Sequence, residues 1–257
     1  MTDEQRKARP WFTEEVTRRF SIYLTWLFLQ LGLTAHQVSF LVLVMGVVSG
    51  LAFIWGKFLV AVLILQMWYL IDAVDGEIAR YHKVDDLTGR YSDILMHYGI
   101  EAWVFYAIGV GVARKYEVFW MQSLGLWVAF FFTFLKLIYD LKYKCYMEHL
   151  CAAEGRYYIG KEGRCERIQA RNSWRMRILK TYSLYPNVIN IITLCVVVDS
   201  LWGGFQWRGV EWSTLLCVMV SYGLFYPAAC VKGCVSILRH RDVDREVHRI
   251  ARSSHPE

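Results

Sequence analysis

Six apolar runs, at roughly 36–56, 58–80, 87–113, 117–141, 184–204 and 211–237, dominate this chain of 257 residues. At about 1.5 Å of rise per residue, each is long enough as a helix to cross an apolar bilayer core of about 30 Å. A segment in lipid must satisfy its own backbone hydrogen bonds, so runs of this length without strand alternation predict helices. The expected fold is therefore all-α: a polytopic membrane protein with six transmembrane helices. A hydrophobic fraction of 56% and an aromatic fraction of 16% agree with that expectation and exclude an ordinary soluble domain.

The polar segments organise the rest. Residues 1–35 read as a charged tail and an amphipathic helix over 11–31, in which Glu14, Glu15, Arg18 and Arg19 alternate with aromatics, as suits a helix lying in the membrane interface. No short apolar core with a cleavage site opens the chain, so no signal peptide is expected. Thr34 and Gln37 form a T-x-x-Q capping box that starts the first span. The membrane domain then covers 36–237, with a basic connector over about 142–183, and a basic tail occupies 238–257. Lys and Arg crowd the N-terminal tail, the 80–90 loop, the connector and the C-terminal tail, whereas the opposite loops carry only Lys57, Arg114, Lys115 and Arg208. Both termini and the 72–97 segment are expected on the cytoplasmic side. Basic residues beside anionic headgroups account for the net charge of +6 without any nucleic-acid partner. The seven cysteines form no C-x-x-C pair, so neither a zinc site nor a disulfide framework is expected.

The chemistry is concentrated where the second and third spans meet. On a helix, Asp72, Asp75, Gly76 and Ala79 fall at i, i+3, i+4 and i+7, and share one face with two carboxylates and two small residues. Gly89, Asp93 and His97 repeat every fourth residue on the next, antiparallel helix, which can set Asp93 opposite the first pair. Carboxylates gathered at a membrane face repel one another, and hard divalent cations are the usual remedy. An oxygen-rich cluster favours Mg²⁺ or Mn²⁺, and two ions are expected. Paired ions of this kind suit transfer of a phosphoryl group from a diphosphate, with Arg80 available to a phosphate oxygen.

The stretch from Asp72 to His97 resembles the signature of the CDP-alcohol phosphotransferase family, D-x2-D-G-x2-A-R-x8-G-x3-D-x3-D, at every fixed position but the last, where His97 stands for aspartate. The Leu-Thr-Ala-His-Gln-Val-Ser entry to the first span and the six spans extend the likeness over most of the chain. The resemblance implies transfer of a substituted phosphate from a CDP-linked donor to an acceptor hydroxyl, with release of CMP, in a homodimeric membrane enzyme. It implies metal ligation by Asp72, Asp75 and Asp93, and a CDP pocket lined by Asp72, Asp75, Gly76, Ala79, Arg80 and Gly89. Asp93 and His97 would be the catalytic pair, with His97 at the place of the family's general base. The donor could be CDP-diacylglycerol with a small polar acceptor, or a CDP-alcohol with a lipid or glycan acceptor.

His97 cuts two ways. Imidazole, with an ordinary pKa of about 6.5 against about 3.9 for aspartate, is a competent base near neutrality. It is also a poorer ligand for Mg²⁺ and removes a negative charge, which leaves open a degenerate member acting as a membrane scaffold or binding protein. Glu101, one turn on, is spaced to bond the ring and orient it. Lys136, Asp140 and Lys232 could each hold an acceptor phosphate or head group; for Asp140 and Lys232, reaching toward the interface explains the position nearly as well. Arg164, Arg167 and Arg171 in the connector could meet an anionic acceptor or stand in solvent. Trp202, Trp207 and Trp212 suit interfacial anchors.

Overall fold

The computed structural model describes residues 17–82, 87–154, 185–203, 205–207 and 210–240. Among these, seven helices follow in order: α1 (Arg18–Gln30), α2 (Ala35–Ile54), α3 (Phe58–Tyr81), α4 (Leu87–Lys115), α5 (Trp120–Glu154), α6 (Tyr185–Trp202) and α7 (Thr214–His240). Five of them, α2, α3, α4, α5 and α7, are long and apolar enough to cross a membrane. The expected span at 184–204 is the helix α6, whose apolar part, Asn187–Trp202, is shorter. The protein is a polytopic, predominantly helical membrane protein, and large apolar side chains such as Phe40, Leu63, Phe130 and Leu224 point outward along its helices.

Two expectations need correcting. The basic connector was expected to begin at 142, but α5 runs on to Glu154. Residues 142–154 contain no glycine or proline and are rich in Lys, Glu, Leu, Met and Ala, so nothing ends the helix before Gly155. The remainder of the connector, with Arg164, Arg167 and Arg171, lies outside the described residues, as do the first sixteen residues and the tail beyond His240. The second correction concerns the last span, expected from 211. A short antiparallel pair of strands, β1 (Phe205–Trp207) and β2 (Val210–Trp212), precedes α7, with Phe205 opposite Trp212 and Trp207 opposite Val210. Aromatic and β-branched residues favour such a pleated pair, and a pattern search for long apolar runs overlooks it.

Local signals set the helix ends. The capping box is present: Gln37 N–H donates to Thr34 Oγ1 at 3.4 Å, and Thr34 N–H donates to Gln37 Oε1 at 2.9 Å. Gly56, at φ +74°, closes α2 in a left-handed conformation that a side chain would strain. At the start of α7, Ser213 Oγ accepts from Leu216 N–H at 3.0 Å, while Asp199 accepts from the N–H groups of Thr214 at 2.7 Å and Leu215 at 3.1 Å. A carboxylate there satisfies orphan donors and meets the positive end of the helix dipole.

The core follows a stripe on α3. Phe58, Ala61, Leu65, Trp68, Ile71, Val74 and Ile78 are buried at three- and four-residue spacing. Polar ties fix the neighbours to it: Ser49 of α2 donates to the Ala61 carbonyl at 2.9 Å, and Gln66 donates to Asn190 and Thr193 of α6 at 3.1 and 2.9 Å. Such directional bonds between helices fix register as well as contact. The helix α1 is tied to α3 through Glu77, whose two carboxylate oxygens accept from Ser21 at 2.8 Å and Thr25 at 2.6 Å.

Candidate active site

Asp72, Asp75 and Ala79 each follow a buried residue of the α3 stripe by one position, so they line the margin of the packed face where α4 meets it. On α4 the inward stripe changes character along its length. Val112, Ile108, Phe105 and Val104 are buried and apolar; continuing toward the N-terminus, the same face carries Glu101, His97 and Asp93. The polar ends of the two helices therefore face each other.

The His97 ring lies among carboxylates. Its Nε2 is 3.0 Å from Asp72 Oδ1 across the helix pair and 3.5 Å from Asp93 Oδ1 on its own helix, while Nδ1 is 3.6 Å from Glu101 Oε1. The last distance is longer than a hydrogen bond, so the expected bond from Glu101 to the ring is a contact only. The edge of the ring meets Trp68, with centroids 5.6 Å apart. Glu101, with a side chain only 3% exposed, gives its other oxygen to Lys136 Nζ of α5 at 2.5 Å. Lys136 also lies 4.8 Å over the Tyr98 ring, and the Tyr98 hydroxyl donates to Asp140.

Asp72, Asp93 and His97 can each offer one ligand atom, all within 4.8 Å of one another. Ligands at roughly 2.1 Å from one divalent ion lie within such a span of each other, so the two carboxylates fit a single ion, with the imidazole nitrogen either its third ligand or, left free, a base beside it. Asp75 stands one turn further along α3, with its Oδ2 accepting from Ser39 Oγ of α2 at 3.0 Å. Arg80 folds back on its own helix, so that a Cβ on Gly76 would meet its Nη1 at 3.3 Å. Ala79 and Gly89 are half-buried on the two helices, and Arg80 is exposed at the end of α3.

Sequence reasoning missed several of these partners. Ser39 lies in the quoted entry to the first span, but nothing in its spacing announces a contact with Asp75. Lys136 and Asp140 are candidates for an acceptor phosphate; among the described residues Lys136 donates to Glu101 and Asp140 accepts from the Tyr98 hydroxyl. The available signal was that a cation and a carboxylate on facing apolar helices each need a partner. Lys232 is exposed on α7.

No protein-family model and no curated protein matches the chain. Its fold is similar to that of a crystal structure of Mycobacterium tuberculosis phosphatidylinositol phosphate synthase (PgsA1) with CDP-DAG bound. The TM-score is 0.58 at 18% sequence identity, covering 85% of this chain and 94% of that one.

Proposed function

We propose that the chain is a CDP-alcohol phosphotransferase, which moves a substituted phosphate from a CDP-linked donor to an acceptor hydroxyl, releases CMP and leaves a phosphodiester in the membrane. The carrying observation is the meeting of Asp72, Asp93 and His97 from two antiparallel helices within 4.8 Å. Two further facts support the reading: the spacing from Asp72 to His97, and a fold shared with a synthase whose structure holds CDP-DAG. Synthesis of a phospholipid, a glycolipid or a surface glycan is the setting, with CDP-diacylglycerol or a CDP-alcohol as donor and an alcohol or lipid as acceptor.

Asp72, Asp75 and Asp93 would hold Mg²⁺ or Mn²⁺, which supplies charge neutralisation to the diphosphate and to the departing CMP oxygen. Gly76 and Ala79 leave room for the nucleotide against α3, Gly89 does so at the start of α4, and Arg80 pairs with a phosphate oxygen. His97 Nε2 takes the proton of the acceptor hydroxyl as that oxygen bonds to the donor's distal phosphorus. The bond between that phosphorus and the CMP oxygen breaks, and CMP carries away the electron pair. Ser39 holds Asp75 at the margin of the site, and α1 is anchored beside it through Glu77. The site and both termini face the cytoplasm, as the distribution of Lys and Arg supports, and the working unit is a homodimer.

One observation favours a second reading, a membrane binding or scaffold protein on the same fold. The His97 ring stands between Asp72 and Asp93, where a protonated imidazole would offset their charge without any ion. CMP release from a panel of CDP-linked donors by purified protein separates the two. The transferase reading expects CMP with Mg²⁺ or Mn²⁺ and none in excess EDTA; no release from any donor, with release gained by His97→Asp, would establish the scaffold.

A further inference from the structure

We propose that Lys136 is a positioning residue for His97: by holding one oxygen of the buried Glu101 carboxylate, it keeps the other beside Nδ1 and so favours the ring orientation that turns Nε2 toward Asp72 and Asp93. The inference rests on the reading of His97 as the base of the transfer. Lys136 belongs to α5, outside the Asp72–His97 segment, and reaches the site only through Glu101.

The geometry forms a chain across three helices. Lys136 Nζ is 2.5 Å from Glu101 Oε2, Glu101 Oε1 is 3.6 Å from His97 Nδ1, and Nε2 of the same ring is 3.0 Å from Asp72. Glu101 is nearly sealed from solvent and sits on the inward stripe of α4, one turn from apolar Phe105, so a carboxylate there needs a counter-charge to stay in place. Lys136 is the cation that supplies it. The ammonium is in turn held over the rings of Tyr98, at 4.8 Å, and Phe132, at 5.8 Å. The ammonium thus sits among neighbours on α4 and α5. A carboxylate on one ring nitrogen is a common means of aiming the other nitrogen at a reaction centre, and the partner's own support matters as much.

The alternative for Lys136 is direct contact with the acceptor, and the two roles separate experimentally. The full chain in lipid nanodiscs is labelled with 5-fluorotryptophan, and the Trp68 ¹⁹F signal is identified by its loss in Trp68→Phe. Trp68 is buried with its ring edge-on to His97, so its signal reads the placement of that ring. With Lys136→Met, kcat should fall by about 10- to 100-fold while KM for donor and acceptor stays within about twofold. The Trp68 signal should shift or broaden, and Lys136→Arg should restore both. In a Glu101→Gln background, Lys136→Met should cost nothing further, and this neutral pair also serves if the single variant does not fold. An unchanged Trp68 signal and kcat in Lys136→Met would overturn the proposal, as would a raised acceptor KM or a full additional loss in the Glu101→Gln background. The Trp68 signal needs no donor. If no donor yields CMP, a shift in Lys136→Met that Arg reverses upholds the positioning and overturns only the transferase reading, and the absence of a shift overturns the positioning.

Discussion

The helices α3 and α4 are put to opposite uses at their two ends. Toward the end of α4 the backbone is packed as closely as chemistry permits. A Cβ on Gly111 would lie 2.1 Å from the Phe53 carbonyl oxygen, and Gly109 and Gly125 of α5 meet so closely that a Cβ on either would approach the other's Cα within 2.6–2.8 Å. At the beginning of α4 the same helix carries Asp93 and His97 at half-exposed positions, and a Cβ on Gly99 would meet nothing within 4 Å. Small residues allow the close approach that drives helix association in lipid, where apolar burial alone gives little. That end seats α4 against α2 and α5, and α2 also packs along α3, so the carboxylates of α3 and α4 face each other within a frame to which the packed end contributes.

If that division of labour is right, damage at the open end should remove activity without unfolding the protein. Asn in place of Asp72, Asp75 or Asp93 should each lower CMP release by about 1000-fold or more, because each removes a charge and a ligand from a cluster acting as a unit. Thermal unfolding should be little changed in these variants. Substantial turnover by any one of the three would break the metal-site account.

His97→Ala comes next, with a loss of about 100-fold or more in kcat and donor binding largely kept. His97→Asp should keep measurable turnover and move the fall of activity on the acid side to lower pH. The sign follows from the ordinary values, about 3.9 for aspartate against about 6.5 for histidine: the carboxylate stays deprotonated, and so remains a base, further down. A pH–rate profile of the two proteins checks this, and coincident acid limbs would mean that His97 is not the base.

The packed end should respond in the opposite sense. Gly111→Val places side-chain atoms against the Phe53 backbone and should cost about 1–3 kcal/mol, seen as a lower unfolding temperature, with whatever protein stays folded retaining its metal site. The smallest effect should come from the cap of α2. Thr34→Ala removes the acceptor for Gln37 N–H and should cost about 1 kcal/mol without altering turnover.

The two ends also differed in how far they could be read in advance. The open end was legible because charge is costly in lipid: Asp72, Asp75, Asp93 and His97 stood out by spacing alone, and the Thr34 and Gln37 cap was visible as a pair of residues. The contacts across helices were not. Ser39 on Asp75, Lys136 on Glu101, and Ser21 and Thr25 on Glu77 join positions that 35 to 56 residues separate, and depend on crossing geometry that no local pattern encodes. The packed end was equally silent, because Gly109, Gly111 and Gly125 show their purpose only when the facing backbone is known. The extension of α5 to Glu154 was missed because a change from apolar to charged residues was taken as the end of a helix, although helix-forming residues continued.

The central claim is that the open end of α3 and α4 is built to hold a divalent cation beside a CDP-linked donor. Electron paramagnetic resonance of Mn²⁺, titrated into the full chain in nanodiscs with and without CDP, tests it without relying on turnover. The account predicts bound Mn²⁺ in the wild type, tighter when CDP is present, and lost in Asp72→Asn and Asp93→Asn. No bound Mn²⁺ in the wild type even with CDP, or equal binding in all three proteins, would contradict it.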